Sequence, residues 1–566
     1  MRSVLNFFAG FAAVSNAISQ AVLASPVPSY ERVNERGAVA SESSTCSKIG
    51  VDLINEGGNA ADALVGTVLC IGTVAMYHSG LGGGGFMLVR SSNGSFEYID
   101  FRETAPAAAF EDMYSENVNA SIFGGLASGV PGELRGLEHL HQGYGVLPWK
   151  DVIAPAVKLG RYGFEVTEDL VDYMESATDG LYDFLTYDHT WAIDFAPNGT
   201  RVGLGDTMTR KRYADMLETI GEYGADAFYT GAIANATINA LQNANGTMTL
   251  DDLQNYTVAI REPAEIDYRD YHLASCSAPA SGVVALSVLK ILEGYDMGNP
   301  ANLNISTHRL DESIRFGYGQ RSNLGDPLFV EGLDEYQRDM VSGETASEVR
   351  GKISDEHTLN VSAYDPSGFE SLDTPGTSHI VSADKSGLAI TITTTVNLLF
   401  GSQLMVPETG VIMNNEMNDF SIPGSSNSFG FVPSPSNYIR PSKRPLSSIS
   451  ATIVTLNDTL YFLTGAAGGS RIITAVIQNL WRVLDQDLSA SDALAAPRLH
   501  DQLVPNQVTF EYKYDNATVD FMRRRGHNVT YIAPGQSSAS QIRVLANGKF
   551  EAAAEPRLQN SGGFVI

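Results

Sequence analysis

The segment Thr374-Pro375-Gly376-Thr377-Ser378-His379 constrains this chain more than any other. Gly376 is small, and the threonine after it opens a strand-like run, SHIVSADKSGLAITITTTVN. A cut after Gly376 makes Thr377 a free N-terminus, with a hydroxyl and an α-amine on one residue. That pairs a nucleophile with its base and needs no separate histidine. A free α-amine titrates at about 7.7–8.0, close to working pH, where general-base catalysis is most effective. Gly-Thr-Ser alone is a common turn tripeptide; the strand run behind it gives it weight.

The rest of the sequence bounds where such chemistry sits. The 566 residues, 43% of them apolar, can bury a large core. A net charge of −28 repels polyphosphate, which argues against nucleic-acid binding. Residues 1–24 read as a secretory signal: Arg2, an apolar stretch from Val4 to Val14, and Val22-Leu23-Ala24 before Ser25. The alternative is an uncleaved anchor, against which Ser15, Asn16, Ser19 and Gln20 interrupt the apolar run. Eleven asparagines head Asn-x-Ser/Thr triplets: Asn93, Asn119, Asn198, Asn235, Asn245, Asn255, Asn304, Asn360, Asn457, Asn516 and Asn528. They fit secretion with N-glycosylation, the destination being extracellular or, alternatively, vacuolar. Three cysteines show no zinc or iron–sulfur spacing, so no metal is expected. Cys46 and Cys70 can form one bridge in an oxidising compartment, leaving Cys276 reduced. Because 24 positions separate them, the bridge requires the chain to fold back at Gly57-Gly58 into two short helices.

Helical patterning runs from about 45 to 78, and roughly 130–350 reads as successive helices. Gly80 to Gly85 matches a dinucleotide fingerprint in letters, but a helix precedes it and a strand pair comes after, the reverse of that motif's context. Close backbone packing at the start of a sheet is the better use. Beyond 376 the texture turns to strands, with SHIVSAD and LAITITTTVN joined at Lys385-Ser386-Gly387, and SISATIVTL and TLYFLTGAAGG joined at Asn457-Asp458. Gly468-Gly469-Ser470 then opens the helix RIITAVIQNLWRVLDQ. Strands and helices in separate runs suggest sheets with helices on their outer faces.

Six motifs stand in a telling order: RETAP at 102–106, GTSH at 376–379, TTVN at 394–397, NNEMNDF at 414–420, RPLSS at 444–448 and GAAGG at 465–469. With them the chain resembles the γ-glutamyltransferases, or glutathione hydrolases, of the N-terminal nucleophile hydrolase superfamily. The resemblance implies an α+β fold, a four-layer αββα sandwich. It implies one precursor that cuts itself between Gly376 and Thr377 into a 25–376 and a 377–566 subunit, which remain together as a heterodimer. It also implies attack by Thr377 on the γ-carbonyl of glutathione or a related γ-glutamyl compound. The group then passes to water or to an amino-acid or dipeptide acceptor, with no cofactor.

Physical roles fit the remaining positions. Arg102 offers a planar fork for the substrate α-carboxylate, although RETAP alone reads equally as a surface ion pair. Asn397, Glu416 and Asp419 supply polar groups and negative charge for an α-ammonium; as a bare pattern they are a solvated turn. Ser447 and Ser448 are small hydroxyl donors, otherwise ordinary loop serines. Thr395 resembles the family threonine that hydrogen-bonds the nucleophile, and also fits a plain strand. Gly468 and Gly469 can aim N–H groups at an oxyanion, with a helix dipole behind them. Residues 421–443 match the family's lid loop, with Phe429 where some members carry tyrosine. The chain ends GGFVI, without the C-terminal cysteine motif of the animal proteins. The rival readings are another N-terminal nucleophile amidase, such as a cephalosporin acylase, and an inactive secreted glycoprotein.

Overall fold

The structure, a computed structural model, describes residues 36–369, 376–424 and 433–566. The signal segment and Phe429 lie outside the described residues.

The hairpin after Thr377 shows how the sheets arise. Ser378–Asp384 and Ala389–Thr395 pair antiparallel, rich in β-branched residues. Asp384 closes the turn by accepting the Ser386 N–H at 2.8 Å, while Gly387 takes φ 85°. Along the next strand, Gly84–Arg90, the side chains alternate. Phe86 and Leu88 join the core between the sheets, and Met87 and Val89 join the core under the helices. Both faces are buried, which explains the nearly continuous apolar run.

Two antiparallel sheets result. The first orders Gly562–Val565, Gly37–Ser41, Ser378–Asp384, Ala389–Thr395, Gly84–Arg90, Phe96–Asp100 and Ala259–Arg261. The second orders Phe550–Ala553, Ser538–Val544, Thr459–Ala467, Thr452–Leu456, Tyr271–Ser275 and Ala264–Tyr268. They stack closely where Gly465 faces His379; a Cβ at Gly465 would sit 2.2 Å from that imidazole. Burial pushes the His379 ring down to about 3, so it is neutral there, and its Nδ1 lies 2.8 Å from Thr393 Oγ1.

Helices cover the outer faces. Ser44–Asn55 and Ala60–Val74 lie on the first sheet; Gly282–Leu292 and Arg471–Leu484 lie on the second. This is an α+β architecture in four layers, αββα. One expectation needs correction. The stretch 130–350 is not wholly helical, since Ala259–Arg261, Ala264–Tyr268 and Tyr271–Ser275 are strands within it. Ala259–Arg261 and Ala264–Tyr268 end the two sheets, and the three strands are only three to five residues long, too short to stand out among the surrounding helical segments.

Candidate active site

Gly376 and Thr377 enter the first sheet beside the end of the Ala389–Thr395 strand. Gly376 has φ 134°, and a Cβ there would lie 2.2 Å from Asn397 O. Only glycine fits before the threonine. Thr395 Oγ1 donates to Gly376 O at 2.7 Å. The Asn397 N–H in turn donates to Thr395 Oγ1 at 2.7 Å, which directs the hydroxyl proton toward that carbonyl. Thr377 Oγ1 also contacts Gly376 O. Gly83 holds the strand end from the other side, because a Cβ there would meet Thr395 O at 2.0 Å. The glycine run thus serves close packing.

Asn397 has φ 75°, and its Nδ2 donates to Asn415 O at 3.0 Å. Asn414 fixes the following turn, since its Oδ1 accepts the Glu416 N–H and the Gly129 N–H, both at 2.9 Å. That turn carries Glu416 and Asp419 onto Arg102, whose Nη1 pairs with Glu416 and Nη2 with Asp419. Arg102 is 1% exposed. Its Nε, Glu416 Oε2, Asp419 Oδ1 and both Glu103 carboxyl oxygens have no hydrogen-bond partner among the described residues. Burial raises the Glu103 carboxyl to about 8 despite the neighbouring guanidinium, and raises Glu416 well above the usual carboxylate range. Three buried carboxyls therefore share one guanidinium. Protons held on the raised carboxyls stand in for missing cations, and the cluster offers unpartnered donors and acceptors.

Ser447 and Ser448 approach from the second sheet's side. The Ser447 N–H donates to Pro279 O at 2.8 Å, and Arg321 Nη2 donates to Ser448 Oγ at 3.1 Å. Arg102, Thr377, Thr395, Asn397, Glu416, Asp419, Ser447, Ser448 and Gly469 all line one cavity, closed by Ile449 and Ile472. Gly468, with φ 119°, adjoins it just before the helix Arg471–Leu484.

A sequence model of the family described as gamma-glutamyltranspeptidase matches residues 46–564. The chain belongs to the gamma-glutamyltranspeptidase family. It is 55% identical to the glutathione hydrolase proenzyme of Arthroderma benhamiae over 579 aligned residues, covering 100% of this chain and 98% of that protein. It is 51% identical to a glutathione hydrolase of Aspergillus flavus, covering 95% and 90%. The cephalosporin acylase of Bacillus halodurans superposes with a TM-score of 0.82 at 24% identity, over 96% of this chain and 98% of that one. At that identity the likeness speaks for the N-terminal nucleophile hydrolase fold alone.

In this chain several site residues carry little signal in the sequence. Glu103 and Asn414 stand inside the RETAP and NNEMNDF motifs, yet only burial and hydrogen bonding give them roles. Arg321 carries no sequence signal; it ends a helix whose packing delivers it to Ser448. Cys46 and Cys70 are joined by a disulfide with Cα atoms 5.4 Å apart, between the helices Ser44–Asn55 and Ala60–Val74. Cys276 is free and buried. Of the sequon asparagines, Asn304 is half-buried, accepting from Thr518 Oγ1 at 2.7 Å, and the others are exposed. No helix of the described residues is long and apolar enough to cross a membrane.

Proposed function

We propose that this enzyme is a glutathione hydrolase that matures by cutting itself before Thr377 and works through a γ-glutamyl ester on that residue. In the uncut chain Thr377 Oγ1 attacks the Gly376 carbonyl carbon, which Thr395 polarises. The C–N bond breaks, an ester forms, and water opens it to leave the Gly376 carboxylate and a free Thr377 α-amine. That amine then takes the Thr377 hydroxyl proton as the oxygen attacks the γ-carbonyl of glutathione. N–H groups of Gly468 and Gly469 hold the oxyanion, each such donor contributing about 2.7–4 kcal/mol to the transition state. The departing cysteinylglycine amine receives the proton. Water or an acceptor amine, deprotonated by the same α-amine, resolves the ester.

Selectivity comes from the charged end. A γ-glutamyl group carries a zwitterionic head. Its ammonium donates to Glu416 Oε2 and Asp419 Oδ1 and takes the place of a proton held on the carboxyl cluster. Its carboxylate meets Arg102 Nε and the hydroxyls of Ser447 and Ser448. The unpartnered atoms of Arg102, Glu416 and Asp419, buried beside Thr377, are the observation that carries this reading. An acylase pocket would need an apolar or glutaryl-shaped surface at that place.

The two pieces, 25–376 and 377–566, stay associated as a heterodimer. The signal segment, the exposed sequons and the Cys46–Cys70 disulfide support a route through the secretory pathway. Incubation with a chromogenic γ-glutamyl anilide, with and without a dipeptide acceptor, tests the chemistry. Release of the anilide, enhanced by the acceptor, is the expected result. Cleavage of glutaryl but not γ-glutamyl anilide overturns the head-group assignment.

A further inference from the structure

Away from the cavity, His308 and Glu312 stand one turn apart on the helix Leu303–Arg321. His527 enters from the turn after the helix Asn516–Arg524. All three are buried, and one ligand atom from each lies within 4.8 Å of the others. His308 Nδ1 is 2.8 Å from His527 Nε2. Glu312 Oε1 is 3.8 Å from the same Nε2.

One outer partner fixes a tautomer. His308 Nε2 lies 2.7 Å from Ser354 O, a carbonyl that only accepts, so that nitrogen carries the proton. His308 Nδ1 therefore turns a lone pair toward His527 Nε2, where a proton or a cation completes the contact. His527 Nδ1 lies 2.9 Å from Asp311 Oδ2 but makes no hydrogen bond among the described residues. Glu312 adds to the demand. Its Oε2 accepts from Tyr364 Oη at 2.7 Å, whereas Oε1 has no hydrogen-bond partner among the described residues. Charge balance agrees. Asp311, Glu312 and Asp501 are fully buried, and Arg315 beside them is spent on Asp501 and Asn506, at 2.8 Å each. Three buried carboxyls thus share one guanidinium, and burying charge without compensation is costly.

We propose that His308 Nδ1, His527 Nε2 and Glu312 Oε1 bind a zinc ion, with water as fourth ligand. Two imidazoles and a carboxylate suit this borderline ion. Ser354 O is the kind of outer partner that orients a metal-bound imidazole, and Asp311 lies beside the other ring. Tetrahedral zinc with bonds of about 2.0–2.1 Å holds two nitrogens about 3.3 Å apart, so the rings separate slightly on binding. No sequence spacing announces the site, because its third ligand lies far along the chain. The ion clamps a helix that precedes Thr377 to a turn beyond it, and so ties the two proposed subunits together.

The test uses the full secreted protein. Wild type purified without chelator is expected to hold one equivalent of zinc by elemental mass spectrometry. After stripping it takes up Zn2+, which raises its melting temperature, and Co2+, which gives a visible band of tetrahedral type. Glu312→Gln and His527→Gln lose that band. Asp311→Asn, which alters only an outer partner, weakens zinc binding roughly 10–100-fold. Should His527→Gln fail to fold, the wild-type spectrum and Glu312→Gln still decide. The proposal is overturned if stripped wild type takes up neither metal, which would assign the pair a shared proton, or if Glu312→Gln binds zinc as wild type does.

Discussion

The two ends of the active-site cavity are built on opposite principles. At the Arg102 end, ionisable groups are buried with part of their bonding capacity unused, and charge is the organising quantity. At the Thr377 end no ionisable side chain lines the wall. Hydroxyls and main-chain groups do the positioning, and close backbone approach at Gly83 and Gly376 sets the geometry. The contrast teaches a division of labour. The charged end selects a head group and belongs to binding. The neutral end is assembled by strand pairing, so it exists before any cut and, in the function proposed above, would serve maturation as well as turnover.

The sharpest way to break this contrast is at Thr377. Thr377→Ala is expected to leave the chain uncut and to lower activity by on the order of 10⁶-fold, the scale seen when a hydrolase loses its nucleophile. Thr377→Ser should retain a weaker form of both functions. Denaturing gels and N-terminal sequencing check this, the smaller piece beginning Thr-Ser-His-Ile. An intact chain in fully active enzyme refutes the scheme.

At the other end, Arg102→Lys keeps a charge and loses the fork. The expected outcome is normal maturation with kcat/KM lower by roughly 10²-fold, carried mainly by KM, since disturbing a buried charge pair costs about 2–5 kcal/mol. If maturation fails as well, the two ends are not separable.

Thr395→Val removes the donor to Gly376 O and leaves the Asn397 N–H without its acceptor. A neutral hydrogen bond contributes about 0.5–1.5 kcal/mol, so self-cleavage should slow by roughly tenfold. The rate at which precursor disappears on gels measures it. An unchanged rate assigns Thr395 no part in polarising the carbonyl.

The smallest effect concerns Glu103, lifted by burial from an ordinary 4.5 to about 8. In that window the folded state holds a proton that the unfolded chain has released. Its stabilising contribution is complete below about 4.5 and is lost as pH rises through about 8. The melting temperature of substrate-free enzyme should therefore fall across that range, and Glu103→Gln should flatten the fall. Parallel pH profiles for the two proteins would assign Glu103 no part in it.

The legible parts of the molecule were those whose signals are local. The hairpin after Thr377 announced itself by β-branched residues and the Lys385-Ser386-Gly387 turn. The fold-back at Gly57-Gly58 was read from two glycines, and Gly57 takes φ 103° where the first helix ends. Most residues that line the cavity stand in the six motifs that match a family in order. What stayed hidden depends on burial by distant elements. The crowding of carboxyls on Arg102 arises only when the 416–419 turn closes on it. Arg321 reaches Ser448 across 127 positions, and the strands between 259 and 275 gain their partners from sequence far away along the chain.

The first sheet interleaves strands from before and after Thr377 and the second joins a block of each, and this bears on how the enzyme survives denaturation. While the chain is continuous, the two sets of strands meet at the high effective concentration of a tether. After the proposed cut the same pairing would become a bimolecular encounter between fragments that each lack part of every sheet. An uncut chain can fold, and a cut one can persist, yet a cut enzyme once unfolded would have lost the connection that guided its assembly. Its durability is then a matter of how slowly it unfolds rather than of a reversible equilibrium.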